Sequence, residues 1–378
     1  MKKLVRLFIL IVLVFWLVAC EQKAAIEPSG KTVKIGIIAP FSGSRDSAGK
    51  EGLKGMETAM QLQPYLQNGN RIQLVAEDDQ NDPALSVRLL RKLAEKDKVA
   101  AIITFSSSNP VLAMAKVADD YQTPILAALA TNPAITDGNG FISQLCFDDD
   151  FQGTVAALFV RDELLIDKVA VFSDPDNSYS RYLAAKFASK FKSIGGEITD
   201  RIYLTEKTGE VFNIVESVRA KAPELIYLPL FADNVLRIIR EVRKLGWEPR
   251  MMGSDGLISR MLASHKEELD LVEGMLATDV FAHGMPLTPL GKKLSETHKG
   301  RSTHFAGLGA EAYVLLLNAM NQCSDPQDRQ CLNHQLRSTI NFTGIGGKIS
   351  IGPDGKAHRP LCIDSIQNGL SKFIVKVY

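Results

Sequence analysis

The chain has 378 residues, 46% of them hydrophobic, which is enough apolar material for two core-bearing domains rather than one. Its 44 basic and 43 acidic residues leave a net charge of +1, so no bulk field directs it to nucleic acid. Basic runs such as "RKLAEKDK" fall on amphipathic patterns and read as solvated helix faces.

In chain order, the first element is "MKKLVRLFILIVLVFWLVACEQ". Lys2, Lys3 and Arg6 precede an apolar run from Leu7 to Val18. That run is shorter than the roughly 20 residues a membrane-spanning helix needs, so residues 1–19 read as a secretory signal peptide. "LVAC" resembles the bacterial lipobox, which implies that Cys20 is diacylated and becomes the mature N-terminus. An uncleaved anchor helix is the competing reading. Either way the body lies outside the cytoplasm, periplasmic or cell-envelope and tethered to a membrane. Residues 20–30 read as a lipidated, flexible linker, being polar and without periodicity.

From Lys31 short apolar runs alternate with helical patterns. "KTVKIGIIAP" is a strand, "SAGKEGLKGMETAMQLQ" a helix, "RIQLVAED" a strand and "PALSVRLLRKLAEK" a helix. "VAAIITF", "PVLAMAKVADDY" and "TPILAALA" continue as strand, helix and strand. The rhythm restarts at "DDFQGTVAALFVRDEL" and runs through "KVAVFSD", "SRYLAAKFASKFKSIG", "EITDRIYL", "VFNIVESVRAKA", "ELIYLPLF", "NVLRIIREVRKLG" and "RMMGSD". Two helical segments follow, "GKKLSETHK" and "GAEAYVLLLNAMNQ", and then a hairpin-like ending with a "PDG" turn. Apolar runs separated by helices mean parallel sheets covered on both faces. The expected class is α/β, with two doubly wound parallel-sheet lobes in tandem. Such sheets bind ligands outside the carboxyl ends of their strands.

Several chemistries are disfavoured. "GSRDSAGK" sits where a phosphate-binding loop would, but five residues separate Gly43 from Gly49, and Glu51 follows Lys50 where a hydroxyl should hold magnesium. "TFSSSNP" has no glycine for a nucleophile elbow, and Ser254 in "MGSDG" lacks the flanking spacing. "DDQND" at 78–82 and "DDD" at 148–150 lack calcium-loop spacing and read as caps or turns. The six histidines never fall at metal-ligand spacing and no C-x-x-C occurs, so neither a metal nor a cofactor is expected. Cys323 and Cys331 enclose a polar loop and are the candidate disulfide, while Cys146 and Cys362 read as buried thiols.

What remains is the serine cluster at 106–108. At a strand's carboxyl end and a helix start, backbone N–H groups and the helix dipole favour an anion, and hydroxyls add neutral donors. "LATNPAIT" repeats the arrangement at Thr131. Plain N-capping by Ser108 and Thr131 explains the same spacing, and the two readings stay open on this ground alone.

A resemblance weighs on that choice. "IGIIAPFSG", "AGKEGLKGMETA", "AEDDQNDPALSV", "FSSSNP", "ALATNPAIT", "DPDNSYSRYLAAKF", "GSDGL", "VEGMLAT", "GAEAYVLL" and "FTGIGGKISIGPDGKA" stand in the order found in branched-chain amino-acid (Leu/Ile/Val) binding proteins of ABC importers. Beyond residue 31 nearly the whole chain resembles that family, of type I periplasmic-binding-protein fold. The resemblance implies that Ser106 binds a ligand carboxylate. It also implies that Thr131 serves both carboxylate and ammonium, that the Leu129 carbonyl beside Ala130 takes an ammonium proton, and that Asp255 pairs with the ammonium. Tyr179 would close from the second lobe, and Phe231 would line the pocket. Amino-acid binders often carry Glu at the place of Asp255 and an aromatic near Ala48, so the ligand need not be leucine. A different amino acid, an amide or an aromatic acid is compatible.

The family's hinge implies lobes of 31–149 plus 281–359, and 150–280 plus 360–378, crossing near 149–150, 279–281 and 359–361. Ligand capture would close the lobes and dock the protein on an inner-membrane ABC permease, with the Cys20 lipid holding it near. Two competing classes are an envelope lipoprotein that binds a protein partner through a cleft filled by its own side chains, and a secreted hydrolase. An enzyme is not the expectation.

Overall fold

The computed structural model describes residues 28–280, 282, 285, 287–298 and 303–378; the signal segment, Cys20, most of the tether and Phe281 lie outside the described residues. The first half runs β1 Thr32–Ala39, α1 Asp46–Leu62, β2 Arg71–Asp78, α2 Pro83–Arg91, β3 Ala101–Thr104, α3 Ser108–Ala115, α4 Ala118–Tyr121, β4 Ile125–Ala127 and β5 Ile142–Gln144. These strands form one sheet in the order β2-β1-β3-β4-β5, every pair parallel. Strands β3 and β4 are buried at every residue, as strands sandwiched between helix layers must be.

The next stretch runs α5 Asp149–Leu158, β6 Lys168–Ser173, α6 Ser178–Ser193, β7 Glu197–Tyr203, α7 Phe212–Ala220, β8 Leu225–Tyr227, α8 Ala232–Lys244, β9 Arg250–Met252, α9 Leu257–Ser264 and β10 Leu276–Asp279. After it come α10 Pro289–Thr297, α11 His304–Asn321, α12 Arg329–Arg337, β11 Phe342–Thr343, β12 Lys348–Ile351, β13 Ala357–His358, β14 Leu361–Gln367 and β15 Leu370–Val377. The second sheet is ordered β15-β14-β10-β9-β8-β6-β7. Its strands from β10 to β7 pair in parallel, but β14 runs antiparallel to β10, and β15 to β14. The second lobe is therefore mixed at one edge. The chain enters β14 antiparallel to β10 on returning from β13, and Asn368 and Gly369, both at positive φ, form a two-residue turn that folds β15 straight back.

The chain passes between the sheets after β5, after β10 and after β13. Buried polar pairs pin the last two passages. His304 Nδ1 hydrogen-bonds Asp279 Oδ1, and Arg359 Nη1 donates to Glu311 Oε2 at 2.7 Å. Helix α11 crosses α1 so closely that a Cβ on Gly55 would lie 1.9 Å from the Ala306 carbonyl oxygen, and one on Gly309 would lie 2.0 Å from that of Gly52. Only glycine fits at both positions. This contact fixes α1, whose first turn meets Arg260 of α9 through Ser47. A disulfide joins Cys323, just beyond α11, to Cys331 in α12.

Candidate functional site

A cavity of about 90 Å³ lies between the lobes at the carboxyl ends of the strands. Phe105, Leu230, Leu257 and Phe305 supply apolar wall, and the polar groups come from both sides.

On the first lobe, β3 ends and α3 begins within four residues, so the serines sit at a sharp strand-to-helix turn. Ser107 occupies the N-cap but makes no side-chain cap bond. Its N–H donates to Asn81 Oδ1 at 2.9 Å. Ser107 and Ser108 line the cavity, and among the described residues neither hydroxyl has a hydrogen-bond partner. Ser106, the serine expected to meet the ligand, does not line the cavity. It is fully buried and donates to Asp79 Oδ2 at 2.5 Å, with Thr104 Oγ1 at 3.0 Å. The reason is a charge the sequence reading treated as a turn former. Asp79 is buried and needs donors, which it takes from Ser86 Oγ at 2.7 Å, the Asn81 N–H at 2.9 Å and Ser106.

The β4 turn follows the same logic. Asn132, not Thr131, caps the short helical turn at Pro133–Ile135, accepting from the Ala134 N–H at 3.0 Å. Neither Ser108 nor Thr131 serves as a side-chain cap. Leu129, Ala130 and Thr131 line the cavity. Among the described residues the Leu129 carbonyl and the Thr131 N–H are unpartnered, while the Ala130 carbonyl accepts from Gln144 Nε2 at 3.0 Å. Ala48, at the start of α1, also reaches the cavity.

On the second lobe, Asp255 follows β9 at a turn made by Gly256 with φ +73°. Its Oδ1 accepts from Gln152 Nε2 at 2.6 Å and from the Tyr179 hydroxyl at 2.8 Å. Burial pushes its pKa up to about 6, opposed by nearby His304 and by the tyrosine hydrogen bond. Among the described residues no cation forms an ion pair with it. Asp149, whose N–H donates to the Thr131 carbonyl at 2.9 Å, is pushed well above the carboxylate range by burial and by the charge of Asp255. Tyr179 also lies 2.5 Å from Ser254 Oγ and stacks on Phe231, with centroids 5.8 Å apart.

Two arginines complete the wall. Arg45, just ahead of α1, places its guanidinium 3.1 Å over the Phe231 ring, and Nη2 lies 3.5 Å from Glu206. Burial brings its pKa down to about 10. Arg260, on α9, reaches back to Ser47 Oγ and the Ser44 carbonyl, with Asp46 at 3.6 Å. Asn109 adds two more bonds across the cleft, accepting from the Ser178 N–H and donating to the Asp176 carbonyl, each at 3.0 Å. The lobes are thus held together over the cavity. Sequence reasoning missed Arg45, Arg260, Ser107, Asn81 and Gln152. Arg45 stands inside "GSRDSAGK", whose spacing bears only on a nucleotide motif, and the short α9 that carries Arg260 has no side-chain cap to announce it.

Among the described residues no cluster of His, Cys, Asp and Glu suits a metal ion. The site instead presents neutral donors, a free carbonyl and the Arg45 guanidinium on one lobe, and on the other a buried carboxylate with no cation at ion-pair distance among the described residues. That set can hold a small dipolar molecule at both ends.

Comparison with known proteins places the chain in a family and agrees with the fold. Residues 32–369 match the family model described as periplasmic binding protein. An amino acid binding protein of Pseudomonas aeruginosa is 28% identical over 288 residues, 75% of this chain and 74% of its own. The Leu/Ile/Val-binding protein of Escherichia coli is 21% identical, over 78% of this chain and 81% of its own. The crystal structure of a leucine binding protein from Thermotoga maritima superposes with a TM-score of 0.85 at 28% identity, covering 91% of this chain and 98% of that one. An ABC transporter solute binding protein from Rhodopseudomonas palustris, solved with 3,4-dihydroxybenzoic acid, shares the fold at a TM-score of 0.81 and 19% identity, over 92% and 97% of the two chains.

Proposed function

The chain belongs to the periplasmic binding protein family, and we propose that it is the extracytoplasmic binding component of an ABC importer, capturing an amino acid or similar small zwitterion between its lobes. The observation that carries this reading is Asp255, a carboxylate in the inter-lobe cavity with no cation at ion-pair distance among the described residues, opposite unpartnered hydroxyls and a free N–H. A buried carboxylate is costly unless a cation meets it, and a ligand ammonium is that cation. The ligand carboxylate would take the Thr131 N–H and the hydroxyls of Ser107 and Ser108 at the start of α3, where the helix dipole favours an anion. The Leu129 carbonyl would accept from the ammonium. Ser106 would act behind this surface by holding Asp79.

Closure would be a hinge motion about the three passages between sheets, with lobes of 31–149 plus 281–359 and 150–280 plus 360–378. A ligand touching both lobes favours the closed state by its differential affinity. Processing of residues 1–19, lipidation of Cys20 and docking on an inner-membrane permease complete the proposal. An aromatic acid without an ammonium fits less well, since it leaves Asp255 unpaired. A protein-binding envelope lipoprotein is disfavoured by the open volume at the centre of the cleft.

The test is native mass spectrometry of the purified protein for a co-purified ligand, followed by calorimetry with free amino acids. Binding of an α-amino acid that depends on Asp255 is the expected result. Tight binding of a carboxylic acid lacking the ammonium, unaffected by Asp255→Asn, would refute the reading.

A further inference from the structure

We propose that Arg45 selects for a second anionic group, so that the preferred ligand is an acidic amino acid carrying a side-chain carboxylate. The inference rests on the amino-acid reading above and adds to it the class of amino acid.

The argument is one of unsatisfied donors. Arg45 lines the cavity with a side chain only 19% exposed. Its five N–H groups make no hydrogen bond among the described residues; the nearest carboxylate oxygen, on Glu206, is 3.5 Å away. A half-buried guanidinium in that condition keeps only part of its hydration, and an acceptor would relieve the rest of the cost. The Phe231 ring covers one face of the cation, and a cation–π contact uses the face while the donors radiate from the edge. Stacking therefore leaves the edge free for a planar, two-oxygen acceptor.

The neighbouring charges do not fill this role. Glu206 has a side chain 69% exposed, so water screens its pairing with Arg45. Asp233 lies 3.4 Å from His265 Nε2. Asp174 accepts from the Asp176 N–H at 3.0 Å. Arg260, the other cation at the cavity, spends both terminal nitrogens on Ser47 and Ser44. Of the two cavity arginines, Arg45 is the one with its whole fork still to offer among the described residues.

Position agrees with chemistry. Arg45 stacks on Phe231, Phe231 stacks on Tyr179, and Tyr179 donates to Asp255. The first lobe's guanidinium thus meets the second lobe's aromatic wall two stacking intervals from the ammonium receptor. A branched aliphatic side chain packed at that end would exclude water from the guanidinium and return no acceptor. A side-chain carboxylate would satisfy it.

The experiment uses the purified chain, freed of ligand by reversible unfolding, and calorimetric titration with L-glutamate, L-glutamine and L-leucine. The wild type is expected to bind glutamate at least about tenfold more tightly than leucine, with glutamine between, as expected for a hydrogen bond to a charged group. Arg45→Ala is expected to shrink the glutamate-to-leucine affinity ratio roughly ten- to a hundredfold, and Arg45→Lys to keep part of it. Because the readout is a ratio, a general weakening of closure cancels. Leucine binding more tightly than glutamate in the wild type, or a ratio unmoved in Arg45→Ala, overturns the inference and leaves the amino-acid reading standing. If none of the three binds, or if Asp255→Asn leaves binding unchanged, the amino-acid reading fails and the inference falls with it.

Discussion

The two walls of the cleft are built by opposite means. The first lobe offers backbone and neutral hydroxyls at the ends of β3 and β4, which bind through direction rather than charge, and Arg45 ahead of α1 adds a charged donor at the rim of that set. The second lobe offers a buried carboxylate whose hydrogen bonds from Tyr179 and Gln152 orient it without neutralising it. One wall is positioned by loops that any helix start supplies. The other stores an electrostatic penalty that a cation releases on binding. The comparison teaches that most of the affinity should reside on the second lobe, and most of the geometry on the first.

The strongest way to break it is Asp255→Asn. Removing one partner of a buried charge pair costs roughly 2–5 kcal/mol of binding, so calorimetry should show amino-acid affinity falling by more than about thirtyfold. An unchanged affinity would remove the second wall from the account.

The same carboxylate sets a pH dependence. With its free-state pKa near 6, protons compete with the ammonium for Asp255. Affinity should be full above that pH and fall as pH drops through it, approaching about tenfold per unit below. Titrations from pH 7.5 to 4.5 on the wild type and Asp255→Asn test the sign. The slope should vanish in the variant.

The serines sharpen the first wall. Ser106→Ala leaves the buried Asp79 short of a donor and should lower stability by about 1–3 kcal/mol, read as a fall in the denaturation midpoint. Ser107→Ala removes only a hydroxyl facing the cavity, and should weaken binding a few-fold with the midpoint unmoved. The reverse pattern would restore Ser106 to the ligand.

The smallest effect is expected of Tyr179→Phe. It deletes one donor to Asp255 and should cost roughly 1 kcal/mol of affinity, about fivefold. It should also move the pH midpoint upward, since that hydrogen bond favours the charged carboxylate.

Much of the architecture was legible in the linear chain. Runs such as "VAAIITF" and "KVAVFSD" are apolar without alternation and are separated by helical periodicity, and only parallel strands covered on both faces accommodate that pattern. Asp255, Tyr179, Phe231, Leu129 and Thr131, grouped in the linear chain by the family resemblance, line one cavity; only the serine and Thr131 turns were marked by their places at strand ends. Which serine faces the cavity was not legible, because three consecutive hydroxyls are equivalent until a buried Asp79, 27 residues earlier, claims one of them. Arg45 and Arg260 were equally invisible, since each draws its meaning from partners on the opposite lobe. Local pattern, then, determines elements, layers and which loops share an edge, because periodicity is a property of neighbours in sequence. Side-chain commitment within those loops was decided only by tertiary structure, because a buried charge chooses its donors by distance in space.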